Sequence, residues 1–343
     1  MFILRPRNQK KNPRVFYGGA LPGNRGGPRV KVKRLIEKFP NCYLDFNLVY
    51  ILSSYPFLSE KTLKALKDSK IPLVLNQNGA YWPGWYGQGW KEKNRLNSLV
   101  YRNCDYVFWQ SRFAREASRM FLATEDARGE VLYNAVDLNH FYPRNQNLVN
   151  KEFTFLVAGN FNSANFYQIE GAFSAFARIH RSGSYRLKVI GLSEAIRTEA
   201  ELISIKMGIN DGVNLLGNYS QDEGAKIIRH VDAYLALKFM DTCPNLVIEA
   251  LASGVPVIFS ESGGTVELVD GSCGIGVHVE GDWYSKPKTP DPKLIAEAMY
   301  SIVERRIEMG EAARAQAEKH FDLRYWYQRH ESVFNQLVNE KVL

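Results

Sequence analysis

Residues 241–269 constrain the fold more tightly than any other part of the chain. Asp241-Thr-Cys-Pro-Asn-Leu-Val-Ile-Glu249 sets two carboxylates eight positions apart. The second opens an Ala/Leu-rich helical run that stops at Gly254, and residues 255–259 read as a buried strand. Ser262-Gly263-Gly264-Thr265 then makes a glycine turn into a second helix start. Loop, helix, strand, Gly-Gly turn and helix in that order form half of a parallel α/β nucleotide-binding unit. In such sheets the polar groups gather at the carboxyl ends of the strands, where ligands bind.

The rest of the chain repeats this alternation twice. In the first half, residues 15–17 read as a strand that runs into the glycine-dense stretch Gly18-Gly19-Ala-Leu-Pro-Gly23-Asn-Arg-Gly26-Gly27. A helix over residues 28–39 follows, with Pro28 at a first helical position where its missing N–H costs nothing. Strands are expected at 44–52, 72–75, 105–109 and 130–133, and helices at 58–68 and 112–122, the last capped by Ser111. The second half restarts with strands at 153–158, 185–190, 213–216 and 233–237. Helices lie between them at 169–180, 193–207 and 221–230, and Ser220 with Glu223 spells a capping box for the last. Beyond Pro292 the pattern is helical to residue 342. Two successive β/α series joined by the polar residues 144–152 imply two doubly wound domains facing across a cleft. The expected division is residues 1–148, 149–321, and a final helical segment 322–343.

At 343 residues the chain has room for two domains, and 45% hydrophobic with 23% charged residues is a globular composition. No apolar run is long enough to span a bilayer, and the basic first residues lack the apolar core of a signal peptide. The four scattered cysteines form no C-x-x-C pair and the six histidines show no metal spacing, so neither a zinc site nor a disulfide framework is expected. A cytoplasmic location is the default. The charge is uneven: residues 1–148 carry 24 Lys+Arg against 11 Asp+Glu, and the remainder 20 against 25. A basic half beside an acidic half points the first domain at something anionic, such as the inner face of a membrane, a lipid-phosphate acceptor or an acidic glycan. A solvated surface explains the same charge. Nucleic acid is not expected, since no recognised binding motif accompanies it.

The segment around Glu249 resembles the carboxyl-terminal signature of glycosyltransferase family 4, retaining nucleotide-sugar enzymes of GT-B fold. An acidic residue, seven positions, Glu249, then Ala250, Ala252, Gly254, Pro256, Val257 and Ile258 follow that family's run. So do Gly217, Gly263, Gly264, Glu267, Asp270-Gly271 and Gly274, and Asn134, Asp137, Phe141 and Pro143 at the inter-domain connection. Gly18 and Gly19 fall where the family has its first glycine loop. The resemblance implies a hexosyltransferase-like enzyme that passes a sugar from a nucleotide diphosphate donor to a glycan or lipid-linked hydroxyl, with no metal or other cofactor. It implies that Glu249 accepts hydrogen bonds from the donor's ribose, that Asp241 faces the transferred sugar, and that the helix of segment 322–343 returns to the first domain, anchored by Tyr325-Trp326-Tyr327. The backbone N–H groups of Asn245, Leu246 and Val247 would hold the diphosphate, with Gly18, Gly19, Gly263 and Gly264 as further donor contacts.

Elementary chemistry agrees with these roles. Ionised carboxylates accept only, and so suit sugar hydroxyls. A helix amino end offers unpaired N–H donors to phosphate. Glycine lets backbone approach a ligand closely.

One departure matters. The family's strand-end Gly-Arg and following Lys, which hold the diphosphate, are replaced here by Gly159-Asn160 and neutral residues. Charge-assisted bonds to phosphate are about twice as strong as neutral ones. Asn160 is therefore a weak substitute, and Lys238, Arg25 and Arg29 are the cations left to take its place. The same loss leaves open a second reading, a catalytically idle GT-B protein that binds a glycan or a partner. Two more readings stay open. Gly263-Gly264 also serves as a plain tight turn. The aromatic stretch Tyr81-Trp82-Pro-Gly-Trp85-Tyr86 either seals the first domain or forms an acceptor lip through Trp82 and Trp85. Lys31-Val-Lys33-Arg34 reads as a solvated helix face.

Overall fold

A computed structural model describes residues 12–23, 27–54, 58–123, 127–144 and 152–340. The chain divides into two compact units. The first takes the chain up to Tyr133 and adds the segment from Leu323; the second is Asn134–Asp322.

In the first unit, β1 (Val15–Phe16), β2 (Leu48–Leu52), β3 (Leu73–Gln77), β4 (Tyr106–Trp109) and β5 (Gly129–Val131) pair in parallel and in chain order. Every residue of β2, β3 and β4 is buried, which requires cover on both faces. Alternation puts Tyr50 and Phe108 on one face and Trp109 on the other. The helix α11 (Leu323–Glu340) covers the first face: the His330 ring lies 5.6 Å from Tyr50 and 4.4 Å from Phe108. α4 (Trp90–Asn103) covers the second through Tyr101, 6.4 Å from Trp109. α1 (Gly27–Lys38), α2 (Glu60–Asp68), the single turn α3 (Pro83–Tyr86) and α5 (Arg112–Phe121) complete the unit. Ser111 caps α5 by accepting from the Ala114 N–H at 2.9 Å. The sequence pattern does not announce α4. Its buried face carries Asn94 and Asn97 beside Val100 and Tyr101, so its apolar stripe is interrupted.

The second unit holds β6 (Phe153–Ala158), β7 (Tyr185–Leu192), β8 (Val213–Gly217), β9 (Ala233–Ala236), β10 (Val257–Ser260) and β11 (Gly274–Val277). All are parallel, in the order β8-β7-β6-β9-β10-β11. The order reverses between β6 and β9, the switch point at which doubly wound sheets open a crevice beyond their carboxyl ends. The helices are α6 (Tyr167–Ile179), α7 (Glu194–Lys206), α8 (Gln221–Arg229), α9 (Asn245–Ala252) and α10 (Pro292–His320). α6 folds because Ile169, Phe173, Phe176 and Ile179 bury completely against Phe155, Leu187 and Ile302. Each such side chain contributes roughly 1.5–3 kcal/mol of transfer free energy. Ser220 and Glu223 form the expected capping box.

Two local expectations change. α9 begins at Asn245, so Glu249 lies in its second turn and does not open the helix. The Gly-Gly turn feeds a short 3-10 turn, Gly263–Glu267, in place of a full helix. The connection between the series also packs early. The Asn134 side chain donates to the Cys243 carbonyl at 2.9 Å, Val136 bridges to Asp322, and Arg144 pairs with the buried Asp232. Residues 134–144 therefore join the second unit. The helix after Asp322 stays with the first: Tyr327 donates to the Arg34 carbonyl at 2.8 Å, and Arg329 meets Glu130 at 2.9 Å.

Candidate functional site

The loop after β9 carries the densest polar geometry at the switch point. Phe239 N–H donates to the Tyr167 hydroxyl at 3.1 Å, and Met240 N–H to Ser262 Oγ at 2.9 Å. These bonds hold Met240 at φ 51°, a left-handed conformation that a residue with a Cβ adopts at a cost. The turn that follows aims Asp241. Its Oδ1 accepts from Lys238 Nζ at 2.9 Å and from the Thr242 N–H at 2.8 Å, and its side chain is 20% exposed. Its carbonyl accepts from the Gly264 N–H at 2.7 Å.

Glycine is required at 263 for a reason internal to this loop. A Cβ there would stand 2.5 Å from the Asp241 carbonyl oxygen and 2.6 Å from the Met240 carbonyl carbon. Gly263 also has φ +65°. Lys238, Asp241, Gly263 and Gly264 are thus brought together. Asn160 is exposed beyond β6, its carbonyl accepting from Asn165 Nδ2 at 3.1 Å. Among the described contacts it does not join this group.

α9 starts at Asn245 behind Pro244, which supplies no side-chain cap. The first N–H groups of such a helix, those of Asn245, Leu246 and Val247, lack intrahelical partners and carry its positive end. Glu249 is half-buried in the same helix, beside two phenols. The Tyr219 hydroxyl is pushed up first by burial and then by the Glu249 charge. Tyr234, also buried, is pushed well up by burial, by Tyr219, and by Asp241 and Glu249. Tyr167 rises to about 12, from burial first and then from Asp241. All three phenols stay protonated donors through neutral pH, next to acceptor-only carboxylates.

In the first unit the strand ends also carry polar groups. Gly18 and Gly19 turn after β1 at φ +62° and +87°. A Cβ on Gly18 would strike Ile51 Cδ1 at 2.2 Å, whereas one on Gly19 would meet nothing within 4 Å. Gly19 therefore has an open face. Lys31 is a correction. It is 8% exposed, and its Nζ donates to Asn76 Oδ1 at 2.7 Å; Gln110 Nε2 donates to the same oxygen at 2.8 Å. Lys31 precedes the buried Leu35 by one helical turn, the spacing that places both on one face. That signal was in the sequence. Arg29 lies over the glycine loop, Nη2 at 3.5 Å from the Pro22 carbonyl, and Arg25 lies outside the described residues.

The aromatic loop divides its two tryptophans. Trp82 is only 5% exposed, packed on Trp85 and edge-on to Phe113 at 5.8 Å. Of the two readings open for this stretch, burial fits Trp82 to the seal and not to an acceptor lip. Trp85 is 48% exposed and stacks on Tyr81 at 5.1 Å.

The two α/β units define the GT-B fold. Residues 152–305 match the family model described as Glycosyl transferases group 1. The chain is 24% identical over 224 residues to N-acetyl-alpha-D-glucosaminyl L-malate synthase of Bacillus anthracis, covering 62% of this chain and 51% of that one. It is 24% identical over 222 residues to the uncharacterized glycosyltransferase MJ1607 of Methanocaldococcus jannaschii, 61% of this chain and 54% of that one. The chain thus spans about half the length of these curated relatives. Among solved structures, sucrose-phosphate synthase from Thermosynechococcus elongatus superposes with TM-score 0.71 at 18% identity, over 90% of this chain and 77% of that one. Anabaena Alr3699/HepE in complex with UDP and glucose superposes with TM-score 0.63 at 16% identity, over 92% and 81%. Among the described residues no helix is long and apolar enough to cross a membrane, and no group of three or more His, Cys, Asp or Glu side chains is placed to hold a metal ion.

Proposed function

We propose that the protein is a retaining glycosyltransferase that moves a sugar from a nucleotide diphosphate donor to a hydroxyl acceptor, a glycan or a lipid-linked one. The observation that carries this reading is the loop Lys238–Asp241 standing before an uncapped helix that also bears Glu249. Glu249 anchors the ribose, and Asp241 faces the hydroxyls of the transferred sugar. The N–H groups of Asn245, Leu246 and Val247 receive the diphosphate, and Gly18 and Gly19 of the first unit remain donor contacts. Lys238 takes the place of the missing Arg/Lys pair. It stands 2.9 Å from Asp241, close enough to exchange that carboxylate for a departing phosphate. On this reading the leaving charge is met by a helix end and one ammonium, the electrostatic stabilisation that commonly dominates such steps, without a bound metal. Gly263 and Gly264 hold the Asp241 loop and act on the donor through it.

UDP-sugars are the first donors to test, because the HepE structures carry UDP, glucose or UDP-glucose. A donor that binds only the folded state raises the melting temperature. UDP-glucose or another nucleotide sugar is expected to do so, and Glu249→Ala to abolish the shift while the unliganded protein still melts cooperatively. Product analysis should find a glycoside with the donor's anomeric configuration. If no uridine, guanosine or adenosine diphosphate sugar shifts the melt, the chain is an idle GT-B binding protein.

A further inference from the structure

Beyond the strand ends of the first unit lies a surface that the donor chemistry does not use. α3 follows the carboxyl end of β3, and α5 begins at Ser111 just past the end of β4. Both therefore start at the sheet end that carries Gly18 and Gly19. Aromatic contacts knit these pieces into one face. Trp82 abuts Phe113 at 5.8 Å, and Trp90 abuts Phe121 at 5.3 Å. Lys93 Nζ lies 5.8 Å from the Tyr86 ring and Lys91 Nζ 5.5 Å from the Trp90 ring. On α5, Arg112, Arg115 and Arg119 recur at helical spacing and are all exposed, while Ala114, Ala117 and Ser118 face inward. The same helices expose Trp85 at 48%, Tyr86 at 40% and Met120 at 53%. The acids interspersed on the two helices are Glu92, already paired with Arg95 at 3.0 Å, and Glu116.

We propose that this face of α3, α4 and α5 docks the protein on an anionic lipid bilayer. Cations attract the headgroups, each contributing about 1 kcal/mol near such a surface. Tryptophan and tyrosine settle at the headgroup level, apolar body inward and polar edge outward. Met120 decides between a bilayer and a nucleic acid. A thioether on a flexible apolar arm gains by entering hydrocarbon and offers nothing to a phosphate or a base edge. Trp85 points the same way, since Tyr81 already occupies one of its faces in a parallel stack, with 1° between the planes, leaving it poorly suited as a platform for successive bases. Docking at this edge would present lipid-borne hydroxyls to the sheet end where the glycine turn lies. That consequence rests on the proposed transfer reaction; the docking does not.

The test uses the full chain without any nucleotide sugar. It is sedimented with vesicles of phosphatidylcholine alone and of phosphatidylcholine mixed with phosphatidylglycerol. Binding to the mixed vesicles, weakened by salt, is expected, with little binding to the neutral ones. Arg112→Gln with Arg119→Gln should weaken partition about 25-fold, about fivefold for each charge. Brominated acyl chains should quench the tryptophan fluorescence of the native protein. Trp85→Phe should remove most of that quenching while retaining vesicle binding, so the assay does not depend on a more disruptive variant folding. Absence of binding to the mixed vesicles overturns the proposal, as does equal, salt-indifferent binding to both kinds. Binding to single-stranded nucleic acid with the vesicles ignored would assign the face to that partner. Donor-induced melting shifts, measured separately, stand or fall on their own.

Discussion

At residue 263 a single hydrogen atom decides the shape of the site. Gly263 has both a left-handed φ and backbone within 2.7 Å of where a Cβ would sit, so Gly263→Ala must move the strained Met240–Asp241 turn. A cost of about 1–3 kcal/mol is expected, with loss of donor binding in the same variant. Gly19→Ala is the control. It has the same φ penalty, about 1–2 kcal/mol, but no neighbour to displace. Denaturant unfolding of both separates clash from backbone strain. If the two lose equal stability, the close approach at 263 is not what demands glycine. The helix that carries Glu249 and the glycine turn beside Asp241 were legible in the sequence because their spacing is local. The strain at Met240 was not, since it arises from Ser262 reaching across from the next strand end. For Trp82 the sequence left a seal and an acceptor lip both open; its neighbour Phe113, brought to it by the pairing of β3 with β4, decides for the seal.

Among the elements, α11 was visible as a helix, and its anchor was placed in Tyr325-Trp326-Tyr327. Nothing in the spacing of α11 marked His330 as fully buried against the sheet. That ring is fully buried, Nδ1 2.8 Å from the Trp326 carbonyl and Nε2 3.0 Å from the Tyr50 hydroxyl. The geometry fixes the tautomer: Nδ1–H donates to the carbonyl, and Tyr50 O–H donates to Nε2. Burial is the main cause that lowers its pKa from 6.5 to about 3, with the Lys31 and Arg329 charges adding to it. The folded state therefore excludes a proton that the unfolded chain binds below its ordinary pKa. Stability from this group is complete above pH 6.5 and is lost as pH falls from there toward 3, with a slope near 1.4 kcal/mol per pH unit. Between pH 6.5 and 5 the native protein should lose about 2 kcal/mol from this one ring. His330→Gln, which can still donate and accept, should be less stable at neutral pH and show a shallower decline. Urea denaturation at the two pH values reads this directly; an unchanged slope in the variant would assign the acid sensitivity to other groups.

On the scale of the molecule, the groups proposed for the donor are unevenly shared. Asp241, Glu249, Lys238, the amino end of α9 and the turn at 263–264 all belong to the unit Asn134–Asp322, while Gly18 and Gly19 belong to the other. The second unit was the more legible in sequence because β/α alternation runs through it, with serine-capped helices after β7 and β8. In the first unit, both faces of a sheet that never reverses order had to be covered. One face is closed by a helix from the far end of the chain, and pairings so distant leave no local period to read. This division gives a prediction for hydrogen exchange of the intact chain with a nucleoside diphosphate and no acceptor. Amides over residues 238–249 and 262–267 should slow, because the phosphates would occupy donors that water reaches in the free protein. Residues 17–20 should slow in parallel only if the glycine turn touches the same ligand, and α11, whose core bonds are already buried, should not change. Protection confined to residues 17–20 would move the diphosphate to the first unit and leave Glu249 without a ribose to hold.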